Sequence, residues 1–237
     1  MLELLPKYRD TEVKPPDDEH STYMVDGVEH ERVTSILDVI SKPALVPWAA
    51  GIAADSFAES LTALLQVRSL SVNDLPGLRD MAAKAHNATR DNAASFGTRA
   101  HHAIEEYITS GVVPTDLALV PILNAFEAWR SKESLTIEYT ERIVWNPEYK
   151  YGGTIDAVAY RDGKPIVIDF KTGSGIYKEA GLQVAAYAYG LRSTTGVPIE
   201  EAWVVNIPRK QPEKGTGFTT RKIPQPILGQ NFTTFLA

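Results

Sequence analysis

The sequence predicts an α/β (α+β) protein in which one mixed central β-sheet is flanked by helices. Three observations support this fold class. The first half of the 237-residue chain is rich in helical patterns, three strand-like runs follow from Leu135, and one helix and a further strand come after them. At this length, one elaborated domain is a better expectation than two.

Helical spacing of apolar residues dominates the first half, much of it in Ala-rich segments. The predicted helices are a short one that begins at an N-cap of Thr34 or Ser35 and runs through Ile40, then 48–66, 78–107 with a break expected near Gly97, and 114–132. A turn over 73–77 precedes the long helix. These helices form an N-terminal elaboration of the sheet.

The second half alternates apolar and polar residues, as half-buried strands do. The predicted elements are strands over 136–145, 151–160 and 165–171, a helix over 178–191, a strand over 202–207 and a last hairpin strand over 218–223. Asp162-Gly163 is a strong hairpin signal between the second and third strands. The chain after Pro208 is expected to be a loop followed by that last strand.

Charge is unevenly distributed along the chain. Residues 1–31 hold nine acidic against three basic residues, which accounts for the whole net charge of −6. We expect 1–31 to be a poorly ordered acidic arm and 32–237 to be a single domain. Its parts would be a mainly helical part over 32–132, a catalytic sheet and helix over 133–207, and a C-terminal loop and strand over 208–237. Because the remainder is neutral overall, a local basic groove for nucleic acid is permitted.

Several classes of site are excluded by composition. The chain has no cysteine, so disulfides, thiolate zinc sites and cysteine-ligated iron–sulfur clusters are ruled out. Any metal must therefore be bound by oxygen and imidazole. The N-terminus does not resemble a secretory signal, and no apolar run approaches the roughly 20 residues that span a bilayer. We expect an intracellular, cytoplasmic protein without a membrane partner.

The segment Ile166–Gly173 contains the most informative pattern, Asp169-Phe170-Lys171. Side chains alternate along a strand, so Asp169 and Lys171 share one face and Phe170 points to the other. The preceding strand of the hairpin places Asp156 among apolar neighbours. Two converging carboxylates suit Mg²⁺ or Mn²⁺, which can activate water and neutralise a phosphate oxyanion. The alternative is a cross-strand salt bridge on a solvated face.

Two helical motifs add further polar groups. His101 and Glu105 are four residues apart and are predicted to share a helix face, whereas His102 is rotated by about 100°. His101 could instead be a structural histidine, and Glu105 could be a surface charge. Gln183 and Tyr187 are likewise four apart, and both can hydrogen-bond a phosphate or a base. Tyr187 could equally cap the edge of the core.

Taken together, these motifs resemble the RecB-like exonuclease branch of the PD-(D/E)xK nuclease superfamily. The motifs are Gly97…His101, Gly153…Asp156, Asp169-Phe170-Lys171-Thr172-Gly173 and Gln183…Tyr187, in that order. Val33–Leu37, followed by Lys42-Pro43, Leu45 and Trp48, looks like the lead-in of the mitochondrial genome maintenance exonucleases and related phage nucleases. The resemblance covers about residues 32 to 207.

The resemblance implies roles for particular residues and the restriction-endonuclease-like core as the fold. His101, Asp156, Asp169 and the backbone carbonyl of Phe170 would bind Mg²⁺ or Mn²⁺, and Lys171 would be the catalytic lysine. Glu105 would be accessory. The substrate contacts would come from Gln183, Tyr187, Thr172 and Arg99, although Arg99 could also belong to a solvated helix face.

Two departures from the family pattern are visible. Ile155 stands where the superfamily has its namesake proline, and the cysteines that bind an iron–sulfur cluster in many relatives are missing. We therefore expect a cluster-free, metal-dependent deoxyribonuclease that works on DNA ends or single strands in recombination, repair or replication, with or without a partner protein. A helical arch that threads a single strand would favour exonuclease activity. The alternatives are a structure-specific or restriction-like endonuclease and a catalytically idle DNA-end-binding module.

Overall fold

The computed structural model describes residues 11–18, 21–40 and 42–237. The elements in chain order are β1 (Val13–Lys14), β2 (Tyr23–Val25), β3 (Val28–Arg32), α1 (Val33–Leu37), α2 (Leu45–Val67), a 3₁₀ turn (Val72–Asp74), α3 (Leu75–Ser110), α4 (Val120–Glu133), β4 (Thr136–Asn146), β5 (Tyr151–Arg161), β6 (Lys164–Lys171), α5 (Lys178–Thr195), β7 (Glu201–Asn206), β8 (Thr219–Pro224) and α6 (Ile227–Phe235). Across these residues, none of the helices is both long and apolar enough to cross a membrane.

The eight strands within the described residues belong to one mixed sheet. Its order is β1-β2-β3-β5-β6-β7-β8, and β4 pairs with β5 in addition. The pairs β3–β5 and β6–β7 are parallel, whereas β4–β5, β5–β6 and β7–β8 are antiparallel. Helices flank this sheet, so the predicted fold class is confirmed.

Each face of the sheet buries a different layer. Val158, Val167 and Val204 pack in one cluster with Val184 and Leu191 of α5. The other face holds an aromatic cluster around Trp129 of α4. The centroid of the Trp129 ring lies 5.6 Å from that of Phe170 and 6.4 Å from that of Trp203. Alternation along β6 therefore assigns Val167, Asp169 and Lys171 to the face that α5 covers.

The chain divides into two compact units. One contains the described residues up to Ile40 together with Arg99–Ala237, and the other contains those of Ser41–Thr98. The whole sheet and the C-terminal part of α3 lie in the first unit. The second unit contains α2 and the N-terminal part of α3.

The structure corrects the prediction at both ends of the chain. Strands β2 and β3 lie within the segment expected to be a poorly ordered arm, and β3 pairs in parallel with the start of β5. The prediction for 1–10 and 19–20 lies outside the described residues. At the C-terminus, α6 was missed, although Leu228, Phe232 and Phe235 recur at helical spacing and are buried.

The helical half differs in detail from the prediction. Helix α1 begins at Val33 after Arg32, and no side chain caps it, so the predicted cap at Thr34 or Ser35 is wrong. Helix α3 continues through Gly97 without a break. A single helical glycine costs about 1 kcal/mol, which does not by itself interrupt a helix.

Candidate active site

The candidate site lies where β5 and β6 separate. Their last paired residues toward this end are Ala157 and Ile168. Beyond that pair, the backbone N–H of Phe170 donates to Asp156 Oδ2 at 2.6 Å instead of to the opposite backbone. The Asp156 side chain thus satisfies a backbone donor that the sheet leaves unpaired. This brings Asp156 beside Asp169, as strand alternation predicted.

Asp169 and Lys171 form a close ion pair on the covered face of β6. Lys171 Nζ lies 3.0 Å from Asp169 Oδ1 and 2.8 Å from Oδ2. The Asp169 side chain is only 2% exposed, so this pair is not the solvated surface salt bridge that the sequence left open. A carboxylate this deeply buried requires a cation beside it.

Helix α5 completes a chain of polar contacts that starts at Asp169. Lys171 Nζ donates to Gln183 Oε1 at 2.9 Å, and Gln183 Nε2 donates to the Tyr187 hydroxyl at 2.8 Å. The Tyr187 ring packs on Gly153, where a Cβ would lie 2.4 Å from the ring. Gly153 of the Gly153…Asp156 motif and Tyr187 of the Gln183…Tyr187 motif are therefore parts of one packed unit.

His101 reaches the site from α3. His101 Nδ1 lies 3.3 Å from Asp156 Oδ1, and the side chains are 28% and 14% exposed. Asp156 thus contacts His101 with one oxygen and Phe170 with the other. His101, Asp156, Asp169 and Lys171 are brought together by three different elements.

The other predicted residues occupy different places. Glu105 Oε2 lies 3.4 Å from His102 Nδ1, so Glu105 contacts the neighbouring histidine, and its accessory role beside His101 stays a prediction. An i,i+3 pair is as close on a helix as an i,i+4 pair. Arg99 forms a salt bridge with Asp116. The Thr172 carbonyl accepts a hydrogen bond of 3.0 Å from Arg209 N.

Glu141 is a site residue that sequence reasoning missed. It lies between Thr140 and Arg142 of β4, whose partners Ala157 and Ile155 bracket Asp156. Glu141 has a φ of 47° in the middle of this strand. Left-handed backbone at a non-glycine residue is costly and is concentrated at functional sites. In the sequence, Glu141 is one of several alternating polar residues, so no local signal distinguished it.

A polar cavity of about 250 Å³ lies against the same part of β5. Its lining includes Arg32, Thr34, Thr154 and Tyr187. The Tyr23 hydroxyl, also in the lining, is 2.8 Å from Thr154 Oγ1. Arg32 is the one basic residue in this lining, and it donates to the Asp18 carbonyl at 3.1 Å.

Electrostatic coupling sets the protonation of the four central groups. Burial alone would lower the pKa of His101, but Asp156 and Asp169 outweigh it and raise this pKa to about 9. Burial would raise the pKa of Asp156, yet His101 and Lys171 hold it below its usual value. Burial raises the pKa of Asp169 despite the neighbouring ammonium group.

The neighbouring carboxylates also raise the pKa values of Glu141 and Lys171. Burial, Asp156 and Glu105 raise the pKa of Glu141 to about 7. Burial would lower the pKa of Lys171, but Asp169 and Asp156 raise it above its ordinary value. Lys171 is therefore a cation at neutral pH, and His101 carries a proton that balances Asp156.

The donor set fits a hard divalent cation. Asp169 Oδ2 is buried and makes no hydrogen bond of good geometry, although Lys171 lies beside it. Two carboxylates and one imidazole match the ligands that Mg²⁺ and Mn²⁺ accept. In the described part of the chain, no three His, Asp or Glu side chains meet as a ligand cluster.

Comparison with known proteins gives weak similarities. No family model matches the sequence, and no curated protein matches it. The chain is similar to the crystal structure of an alkaline exonuclease (LHK-Exo) from Laribacter hongkongensis, with 12% identity, coverage of 87% of this chain and 86% of that one, and a TM-score of 0.41. LHK-Exo in complex with dAMP gives 13% identity, coverage of 87% and 84%, and a TM-score of 0.42.

A third similar structure, that of SSO0001, has 14% identity, coverage of 79% and 84%, and a TM-score of 0.34. All three TM-scores are below 0.5. The function proposed below is therefore based on the geometry of the site.

Proposed function

We propose that this chain is a metal-dependent DNA nuclease of the RecB-like branch of the PD-(D/E)xK superfamily. The observation that carries the proposal is the meeting of Asp156, Asp169 and Lys171 where β5 and β6 separate, with His101 at 3.3 Å from Asp156. A buried carboxylate pair beside an ammonium group is costly to maintain for stability alone. Such arrangements are concentrated at functional sites.

The proposed chemistry is hydrolysis of a phosphodiester bond by in-line attack of water. Asp156, Asp169 and, after loss of its proton, His101 would hold Mg²⁺ or Mn²⁺, which supplies water activation and neutralises a non-bridging oxygen when bound. Lys171 would place its positive charge at the phosphate as negative charge accumulates there. Gln183 would keep the ammonium group of Lys171 in position. The proton from the attacking water would end on the departing sugar oxygen or in solvent.

Exonuclease activity on DNA ends is proposed because of the polar cavity beside the site. Arg32 and the hydroxyls of Tyr23, Thr34 and Thr154 are groups that bind a phosphate. The cavity volume of about 250 Å³ accommodates a terminal phosphate but not a duplex. Work on DNA ends would suit recombination, repair or replication.

Digestion of labelled DNA tests this proposal. Linear single- and double-stranded DNA carrying a label at one end would be incubated with the full chain in Mg²⁺, Mn²⁺ or EDTA. Release of labelled products with either cation and none in EDTA is the expected result. Lack of any cleavage with both cations would refute the nuclease assignment and favour the idle DNA-end-binding alternative.

A closed circular single strand separates the exonuclease from an endonuclease with the same centre. We expect the linear strand to be degraded while the circle persists. Rapid degradation of the circle would favour the structure-specific or restriction-like endonuclease. Equal cleavage rates on DNA with and without a terminal phosphate would contradict the proposed binding of that phosphate in the cavity lined by Arg32.

A further inference from the structure

Sheet register places a basic side chain in the same row as the catalytic carboxylate. Asp169 of β6 is paired with Val204 of β7, and Val204 is paired with Arg221 of β8. Paired residues project to the same face of a sheet, so Arg221 shares the face of Asp169. Two strand spacings separate them, which puts their Cα atoms roughly 10 Å apart.

A second basic residue follows the end of β7. Ile207 N donates to Lys171 O at 2.8 Å and Arg209 N donates to Thr172 O at 3.0 Å. These bonds continue the β6–β7 ladder past the catalytic lysine. Lys210 comes directly after this extension and is exposed. The chain therefore delivers Lys210 to the same end of the sheet as Lys171.

A third basic residue opens helix α5. Gly181, in the first turn of α5, lies against β8, since a Cβ on it would be 3.6 Å from Ile223 Cδ1. Lys178 is three residues earlier, which is toward the catalytic end of the helix. Arg221 is two residues before Ile223 in the same direction along β8. Lys178, Lys210 and Arg221 thus border the same end of β6, β7 and β8, and we name them the basic ledge.

The basic ledge is not neutralised by nearby acids. None of its three side chains makes a hydrogen bond or an ion pair with any residue that the structure describes, and all three residues are exposed. The acidic residues closest in sequence are Glu179 and Glu213. Neither of these forms an ion pair with the basic ledge. In contrast, Lys164 at the opposite end of β6 is bound to Glu200 at 2.6 Å. The basic ledge therefore presents three positive charges that no described acidic side chain neutralises by direct contact.

We propose that the basic ledge binds the phosphodiester backbone of a nucleic-acid strand on the β8 side of the catalytic centre. This inference rests on the proposed function, because it takes the scissile phosphate to lie at Asp156 and Asp169. The next phosphates of the strand then meet Arg221, Lys178 and Lys210. Contacts of this kind set affinity and position without reading sequence.

Salt dependence of binding tests the basic ledge directly. Binding of a fluorescein-labelled single-stranded DNA oligonucleotide would be measured in EDTA, where no cleavage occurs, over a series of salt concentrations. Each phosphate contact contributes about 0.7 to the slope of log K against log salt for a single strand. The triple variant Lys178→Gln, Lys210→Gln, Arg221→Gln should therefore lose about 2 from that slope. Its KM should rise by roughly tenfold or more with kcat almost unchanged.

Lys164→Gln is the matched control, because it removes a positive charge from the other end of β6. We expect its slope to equal that of the parent chain. A triple variant with the parent's slope, or a parent chain that does not bind the oligonucleotide, would overturn the basic ledge. A third outcome is that the parent chain binds the oligonucleotide and the triple variant shows the expected loss of slope, but the parent cleaves no DNA with Mg²⁺ or Mn²⁺. In that case the nuclease proposal fails, and the proposal that the basic ledge binds the phosphodiester backbone stands.

Discussion

Gln183 Oε1 accepts a hydrogen bond of 2.9 Å from Lys171 Nζ. The amide of the same side chain donates to the Tyr187 hydroxyl at 2.8 Å, so both of its ends are engaged within the protein. The motif formed by Gln183 and Tyr187, which the sequence predicted to contact the substrate, therefore holds Lys171, the proposed catalytic lysine, in this structure. Steady-state kinetics can therefore distinguish a positioning role of Gln183 from direct binding of the substrate by Gln183.

Gln183→Leu should lower kcat roughly 10- to 100-fold while KM changes little, because a misplaced lysine weakens transition-state stabilisation more than binding. Tyr187→Phe, which removes only the hydroxyl that supports Gln183, should show a smaller loss of the same kind. Steady-state cleavage of linear DNA measures both parameters. A rise in KM at constant kcat would instead indicate that Gln183 contacts the substrate.

Lys171→Met should destabilise the folded chain as well as abolish cleavage. It leaves Asp169, which is 2% exposed, without its cation, and this should reduce the free energy of unfolding by about 1–3 kcal/mol. Urea unfolding in EDTA measures the change. Lys164→Met breaks an exposed pair on the same strand and should cost less than about 1 kcal/mol. Equal losses of unfolding free energy in the two variants would show that the buried Asp169–Lys171 pair stabilises the fold no more than the exposed pair does.

Glu141→Gln should alter how stability depends on pH. The folded-state pKa of Glu141 is raised from 4.5 to about 7 by burial, Asp156 and Glu105. The folded chain therefore binds more protons than the unfolded chain in this window, and its stability falls as pH rises from about 4.5 through 7. The glutamine variant lacks this loss. Thermal unfolding in EDTA should show the variant more stable than the parent above pH 7, with the difference shrinking toward acid. Parallel pH profiles of stability for the parent chain and the glutamine variant would show that Glu141 does not interact electrostatically with the site.

Gly153→Ala should disturb the contacts that hold Lys171, the proposed catalytic lysine. The new Cβ would lie 2.4 Å from Tyr187 Cε1, and relief of that overlap must move a buried ring. We expect a loss of about 1–3 kcal/mol in the free energy of unfolding, with reduced kcat. Gly51→Ala is the control, because a Cβ there meets nothing within 4 Å, and it should stabilise helix α2 by about 0.5–1 kcal/mol. Similar effects in both variants would show that the loss at Gly153 is not due to Tyr187.

The sequence predicted the central pairing because strand alternation is a strict geometric rule. It placed Asp169 and Lys171 on one face, and the Asp162-Gly163 turn brought Asp156 alongside. The boundaries of β5 and β6 followed from clear apolar patterns to within one residue, as did the start of α5, which continues four residues beyond its predicted end. The mixed sheet could therefore be predicted from local signals.

Other features depend on contacts that no local pattern encodes. Glu141 joins the site through the register of β4 with β5, and the spacing of Glu105 on its helix allows a contact with either His101 or His102. Arg32 reaches the cavity through the parallel pairing of β3 with β5, a long-range contact that begins at the end of the acidic segment 1–31, whose composition indicated disorder. Helix α6 differs from these cases, because its apolar residues recur at helical spacing and this local pattern is enough to predict the helix.

The most direct test of the four-residue centre compares cleavage of end-labelled linear DNA by the parent chain and by Asp169→Asn, in Mn²⁺ and in EDTA. Asparagine keeps the shape of Asp169 but removes the charge that the cation needs. The account predicts rapid, EDTA-sensitive release of labelled nucleotides by the parent and a loss of at least about 100-fold in the folded variant. Equal cleavage by the two chains, or cleavage that persists in EDTA, would contradict it.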